Sequence, residues 1–263
     1  YTDDVNRAVE VFKDNAKDLK GWNFYADNKG VKVYTKDITG RSTPMIRGDY
    51  TLSGGYTADD FLSVIKNMSL RKLWDDRYED GEYIEFFDND NTLSRFSVKG
   101  TFPISGRDFA LRGTVTRDSE TQKIYFVTTS ITDPAIPEVK KFVRGYVNFT
   151  GWQIVSKFDT DGNTKALDII YIVDTDIKLE SVPYSILKSI STGTPIVLQK
   201  IDEMLERIGF PPYILKSSSL IVSETVDPKS FQYNLTLSSE NSSITEIRYS
   251  KKMYPNGFDI SII

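Results

Sequence analysis

Hydrophobic positions along this chain follow two different periods. From Thr2 to Leu19, Val5, Ala8, Val9, Phe12 and Ala16 recur at spacings of three and four, which predicts an amphipathic helix. Val31–Thr35 alternates as a half-buried strand does, and Met45–Leu52 reads as a second strand, ended by Ser53-Gly54-Gly55. Thr57 or Asp59 can cap a helix carrying Phe61, Leu62, Ile65 and Met68 on one side. A long β region follows. Tyr83–Phe87 and Leu93–Val98 flank the turn-forming Asp88-Asn89-Asp90-Asn91. Phe109–Thr116, Ile124–Ile131, Val143–Phe149, Trp152–Phe158 and Ala166–Thr175 continue it, with Asp159-Thr160-Asp161-Gly162-Asn163 as a tight turn. Connections this short predict an antiparallel, curved sheet.

The period returns to helical at the end of the region. Ile186, Ile190, Thr194, Val197, Ile201, Leu205 and Ile208 form one stripe, predicting a helix from Pro183 to Ile208 that Pro195 should kink. Pro183 suits its first turn, Gly209 its C-terminal cap, and Pro211-Pro212 prevents continuation. Beyond Tyr213 the texture changes to short apolar runs separated by Ser and Asn. Leu220–Thr225, Phe231–Leu237, Ile244–Tyr249 and Phe258–Ile262 read as short strands, with Pro255-Asn256-Gly257 as a turn. We therefore divide the chain into a main domain, residues 1–212, and a β-rich appendage or truncated following domain, residues 213–263.

Composition narrows the function more than the fold. The chain has 263 residues, 39% hydrophobic, enough for a core that also encloses a ligand. The net charge of -4, with well-mixed signs, disfavours nucleic acid as a partner, because phosphate binding needs a concentrated basic face. No run reaches the ~18 apolar residues of a membrane span. The first residue is Tyr1 rather than Met, which reads as a piece excised from a longer protein. Four glycosylation sequons, at Asn67, Asn148, Asn234 and Asn241, are read as chance matches. There is no cysteine and no histidine. The absent cysteines fit a cytoplasmic protein. Without either residue the thiol nucleophile, the commonest general base and the commonest metal ligand are all missing. The chain is expected to be no enzyme, with no catalytic residue, metal or cofactor, and to work as a monomer.

Several segments carry a family resemblance. Leu70-Arg71-Lys72-Leu73-Trp74-Asp75 resembles the RKxWD element of START (StAR-related lipid transfer) domains, and Phe102-Pro103-Ile104-Ser105-Gly106-Arg107-Asp108-Phe109 resembles their FPxSxRDF loop. Val143-Arg144-Gly145, Gly151-Trp152 and Asp174-Thr175-Asp176 fall in the family's order, and the last helix follows at Pro183. The likeness covers roughly residues 20–210. It implies an α+β helix-grip fold, in which a curved antiparallel sheet wraps a long C-terminal helix and one lipid sits between them. The implied function is non-catalytic lipid binding and transfer or sensing, with transient contact to a membrane surface.

The resemblance also implies a site. Arg71 matches the position that contacts phosphate in phosphatidylcholine carriers, beside an acidic Asp75. Phe96, Phe109 and Asn148 fall at the positions of a choline cage, although Asn148 is not aromatic. Arg112 with Ser94 falls where sterol carriers place an Arg and its partner, so a sterol remains the alternative to a glycerophospholipid; a third reading is an interaction module with a filled cavity. Arg suits phosphate because its fork makes two parallel charge-assisted bonds. From the last helix, Ile190, Thr194 and Val197 are expected to contact ligand. Gly193 and Pro195 should weaken that helix as a cover, and Phe102, Pro103 and Ile104 belong to a second gate, the Thr101–Asp108 loop. Arg107 with Asp108 is read as fixing that loop.

Overall fold

Strand alternation divides the core between the two faces of one large sheet. The computed structural model describes residues 2–102, 104–176, 182–238 and 244–262. The strands are β1 (Asn23–Asn28), β2 (Val31–Lys36), β3 (Met45–Ser53), β4 (Tyr78–Phe86), β5 (Asn91–Val98), β6 (Arg107–Asp118), β7 (Lys123–Ser130), β8 (Val143–Arg144), β9 (Tyr146–Phe158) and β10 (Thr164–Asp176). They run β1-β2-β3-β10-β9-β7-β6-β5-β4, each pair antiparallel. The short β8 pairs in parallel with the start of β6.

Along β7, Tyr125 and Val127 face one way and Ile124 and Phe126 the other. The first face receives α1 (Thr2–Ala16), whose Ala8, Val9, Phe12 and Ala16 pack on Tyr125, Val127, Phe149 and Ile172. Arg47 fixes the end of that helix by donating Nη1 to the carbonyls of Asn15 at 3.2 Å and Asp18 at 2.7 Å. Those carbonyls lack intrahelical partners, and a cation suits the negative end of a helix dipole.

The second face receives α2 (Ala58–Lys66) and the C-terminal helices. Thr57 caps α2 in a reciprocal box with Asp60. The expected single helix from Pro183 to Ile208 is instead two. α3 (Tyr184–Thr192) and α4 (Val197–Ile208) are separated by one 3-10 turn, Thr194–Ile196. Pro195 lacks an amide hydrogen and crowds the preceding turn, so here it interrupts the helix rather than bending it. α4 buries Val197, Leu198, Ile201, Met204 and Leu205 and ends at Gly209, whose φ of 77° lies in the left-handed region.

Three further expectations change. β1 is not marked by alternation, because five of its six residues are exposed. The two strands expected over residues 143–158 merge into the thirteen-residue β9, preceded by the two-residue β8. In the tail, β11 (Tyr213–Lys216) pairs with β14 (Glu246–Arg248) and β12 (Ile221–Val226) with β13 (Tyr233–Leu237), while Phe258–Ile262 forms no strand among the described residues. These ribbons pack back on the main body. Val226 and Met253 cover Leu70. Arg248 Nε donates to the buried Asp60 Oδ1 at 2.8 Å, and the Tyr213 hydroxyl reaches the same oxygen at 3.1 Å.

Candidate functional site

Between the second face of the sheet and the broken C-terminal helix lies a cavity of about 220 Å³. Its floor is the inward set of alternating residues, including Ser94 and Phe96 of β5, Phe109 and Leu111 of β6, and Trp152 of β9. Trp152 stacks on Tyr171 of β10 with ring centres 3.9 Å apart. Ile190 and Thr194 close it from the helical side, and Ile104 from the β5–β6 loop. The volume lies below the ~300–1,000 Å³ of ordinary ligand pockets.

The cover is seated through Gly48. A β-carbon built there would lie 2.4 Å from Pro195 Cβ and 3.2 Å from Leu198 Cδ1. Only a glycine lets the break of the helix rest on the bare backbone of β3. No motif marked Gly48; its signal is a glycine inside a strand, which often means close approach of another chain segment.

Arg71 leads the polar end. Its Nε donates to Asp75 Oδ2 at 3.0 Å. Its guanidinium lies 4.5 Å from the Phe96 ring centre and 4.7 Å from that of Trp74. The two rings hold the group by cation–π attraction. The two terminal nitrogens of Arg71 have no acceptor among the described residues. Asp75, 4% exposed, also accepts the backbone amide of Arg77 at 3.2 Å. Below Arg71, burial pushes the Tyr78 phenol up to about 12 against the opposing pull of Arg71, so it stays neutral.

Arg77, Lys99 and Arg107 also line the cavity. Arg77 Nη1 donates to the Thr194 hydroxyl at 2.9 Å, tying the 3-10 turn of the cover to the cavity wall. The expected Arg107–Asp108 contact does not form. Successive strand residues face opposite ways, so Asp108 points away from the cavity and pairs with Arg144 Nη2 at 2.8 Å. Arg107 points in. It is 5% exposed, its terminal nitrogen donates to the Ser105 carbonyl, and burial alone pulls its pKa down.

The structure thus brings Arg71, Asp75, Ser94, Phe96, Phe109, Ile190, Thr194 and Ile104 to one cavity. It does not bring the others there. Arg112 sits on the opposite face of β6 from Leu111, donating to the Thr92 carbonyl at 3.1 Å with Phe87 4.1 Å from its guanidinium. Asn148 occupies the bulge where β9 slips against β10, and its amide donates to Asp174 at 3.2 Å. Val197 is core packing. Gly193 is exposed, and Pro195 is buried against Gly48 rather than facing the cavity. Phe102 is 96% exposed at the loop tip, and Pro103 lies outside the described residues.

Among the described residues, no group of His, Cys, Asp or Glu is placed to hold a metal ion, and no helix is long and apolar enough to cross a membrane. The START domain profile matches residues 5–209. The chain is 24% identical over 183 residues to the human "StAR-related lipid transfer protein 7, mitochondrial", a match covering 68% of this chain and 48% of that protein. It spans about half the length of the curated relatives it matches. Among solved structures it resembles human StAR-related lipid transfer protein 5, with a TM-score of 0.67, 20% identity and 77% and 94% of the two chains covered. Human STARD10 gives a TM-score of 0.64, 20% identity and coverage of 75% and 78%. With the profile spanning most of its length and the sheet, cover and cavity in place, the chain belongs to the START domain family.

Proposed function

We propose that this chain is a non-catalytic carrier or sensor that holds one glycerophospholipid, its phosphate on Arg71. A START domain implies lipid binding and transfer. The phospholipid reading rests on one observation: Arg71 lies against the rings of Phe96 and Trp74 at the cavity, with Asp75 on Nε and no acceptor on either terminal nitrogen among the described residues. The sterol alternative relied on Arg112 beside Ser94, and Arg112 lies on the other face of its strand. The lipid tails occupy the apolar end, each buried methylene contributing ~0.8 kcal/mol. The projecting Phe102 supplies a transient membrane contact. We read residues 213–263 as an appendage bracing α2 through Asp60 and Arg248.

Native mass spectrometry of the purified protein, followed by lipid extraction, tests this reading. A one-to-one adduct of phospholipid mass is expected. Arg71→Ala should lower phospholipid uptake from vesicles about ten- to hundredfold, as loss of a charged hydrogen bond of ~1.5–3 kcal/mol implies, while sterol uptake changes less. A sterol-mass adduct, or equal losses for both lipids, would overturn it.

A further inference from the structure

We infer that the cavity selects a phospholipid whose headgroup carries net negative charge over one bearing choline. This deepens the carrier reading and rests on it. Arg71, Arg77, Lys99 and Arg107 line the cavity against a single carboxylate, Asp75. Asp75 is already committed to Arg71 and to the backbone of Arg77. Arg77 reaches only a neutral hydroxyl, Arg107 only a carbonyl, and Lys99 only the carbonyl of Asp76 at 2.8 Å. No carboxylate pairs with Arg77 or Arg107 among the described residues.

A buried guanidinium without an anion is costly. The nearest carboxylate in sequence, Asp108, is turned away and consumed by Arg144. The whole chain carries -4, so a cavity with excess positive charge is local and not a reflection of composition. An anionic phosphate inside would supply what the site lacks.

Choline would meet the opposite conditions. A quaternary ammonium needs free aromatic faces. Here the rings of Phe96 and Trp74 already hold the guanidinium of Arg71. Of the three expected cage positions, Phe96 is thus taken and Asn148 bonds to Asp174 on a bulge that does not line the cavity, which leaves Phe109 alone where a cage needs several rings. A second cation brought beside Arg71 would be repelled by it and by the uncompensated arginines.

The test is to equilibrate the full chain with vesicles holding equal amounts of phosphatidic acid and phosphatidylcholine of matched chains, then read bound lipid by native mass spectrometry. Phosphatidic acid should be enriched about tenfold or more over its share in the donor vesicle. Arg107→Met should bring the ratio near that of the donor. Arg77→Gln, at a half-exposed position where folding is less at risk, should lower it too. Full occupancy with phosphatidylcholine at or above its donor share would overturn the inference and leave the carrier reading standing. Failure to take up any lipid would sink both. Inorganic phosphate in excess should leave lipid uptake unchanged; if it binds alone and abolishes uptake, the site recognises soluble phosphate and the lipid assignment fails.

Discussion

Arg107 and Asp108 are neighbours on β6, yet their surroundings are opposites. On the outer side, Asp108 is fully buried and closed off: Arg144 forks onto both its oxygens and also donates to the carbonyls of Ile136 and Pro137. On the cavity side, Arg107 is nearly as buried and meets no carboxylate among the described residues. The same contrast separates the cavity from the tail junction, where Arg248 is spent on the buried Asp60. Arg144 and Arg248 hold the fold through paired charges. Of the cavity's arginines only Arg71 has a carboxylate partner among the described residues; Arg77 and Arg107 have none, which costs stability and leaves them free for a ligand.

Substitutions can break this comparison. Arg144→Met leaves Asp108 buried and unpaired, and breaking such a pair costs ~3–5 kcal/mol; urea denaturation should show a loss near that size. Asp60→Asn keeps a capping oxygen but removes the charge from Arg248, so a loss of ~1–2 kcal/mol is expected in the same measurement. Arg107→Met should be neutral to stabilising, by up to ~1 kcal/mol, since it removes a buried charge that no carboxylate compensates among the described residues. A loss as large as that of Arg144→Met would make Arg107 a structural group and erase the contrast.

Much of the fold is legible in the sequence because burial leaves a pattern. The stripe of α1 can be read directly, since one face is apolar, and β7 and β10 read as continuous apolar runs because both of their faces are covered. β1 is illegible for the converse reason: a mostly exposed edge strand needs no alternation. The break at Pro195 is ambiguous in sequence, because a proline either bends or ends a helix, and which occurs depends on Gly48, nearly 150 residues earlier. At the site, Arg71 and Asp75 share one motif and one helical turn, so their pairing is readable. Arg77 and Lys99 stand outside any periodic segment, and only the folded loop geometry places them on the cavity. Arg107 and Asp108 were expected together because they are adjacent and opposite in charge; strand alternation forbids that contact.

The interruption at Thr194–Ile196 divides the cover into parts of unequal cohesion. α3 buries only Leu187 and Thr192, whereas α4 buries five residues. A nine-residue helix does not hold itself in water. Besides Leu187, whose burial contributes ~1.5–3 kcal/mol, α3 is tied down mainly by the contacts of Tyr184 and Lys188 with the exposed Asp37. α4 is anchored on the sheet by Val197, Leu198, Ile201, Met204 and Leu205. On the carrier reading proposed above, local melting of this end is the least costly way to open the cavity, because it leaves α4 packed on the sheet.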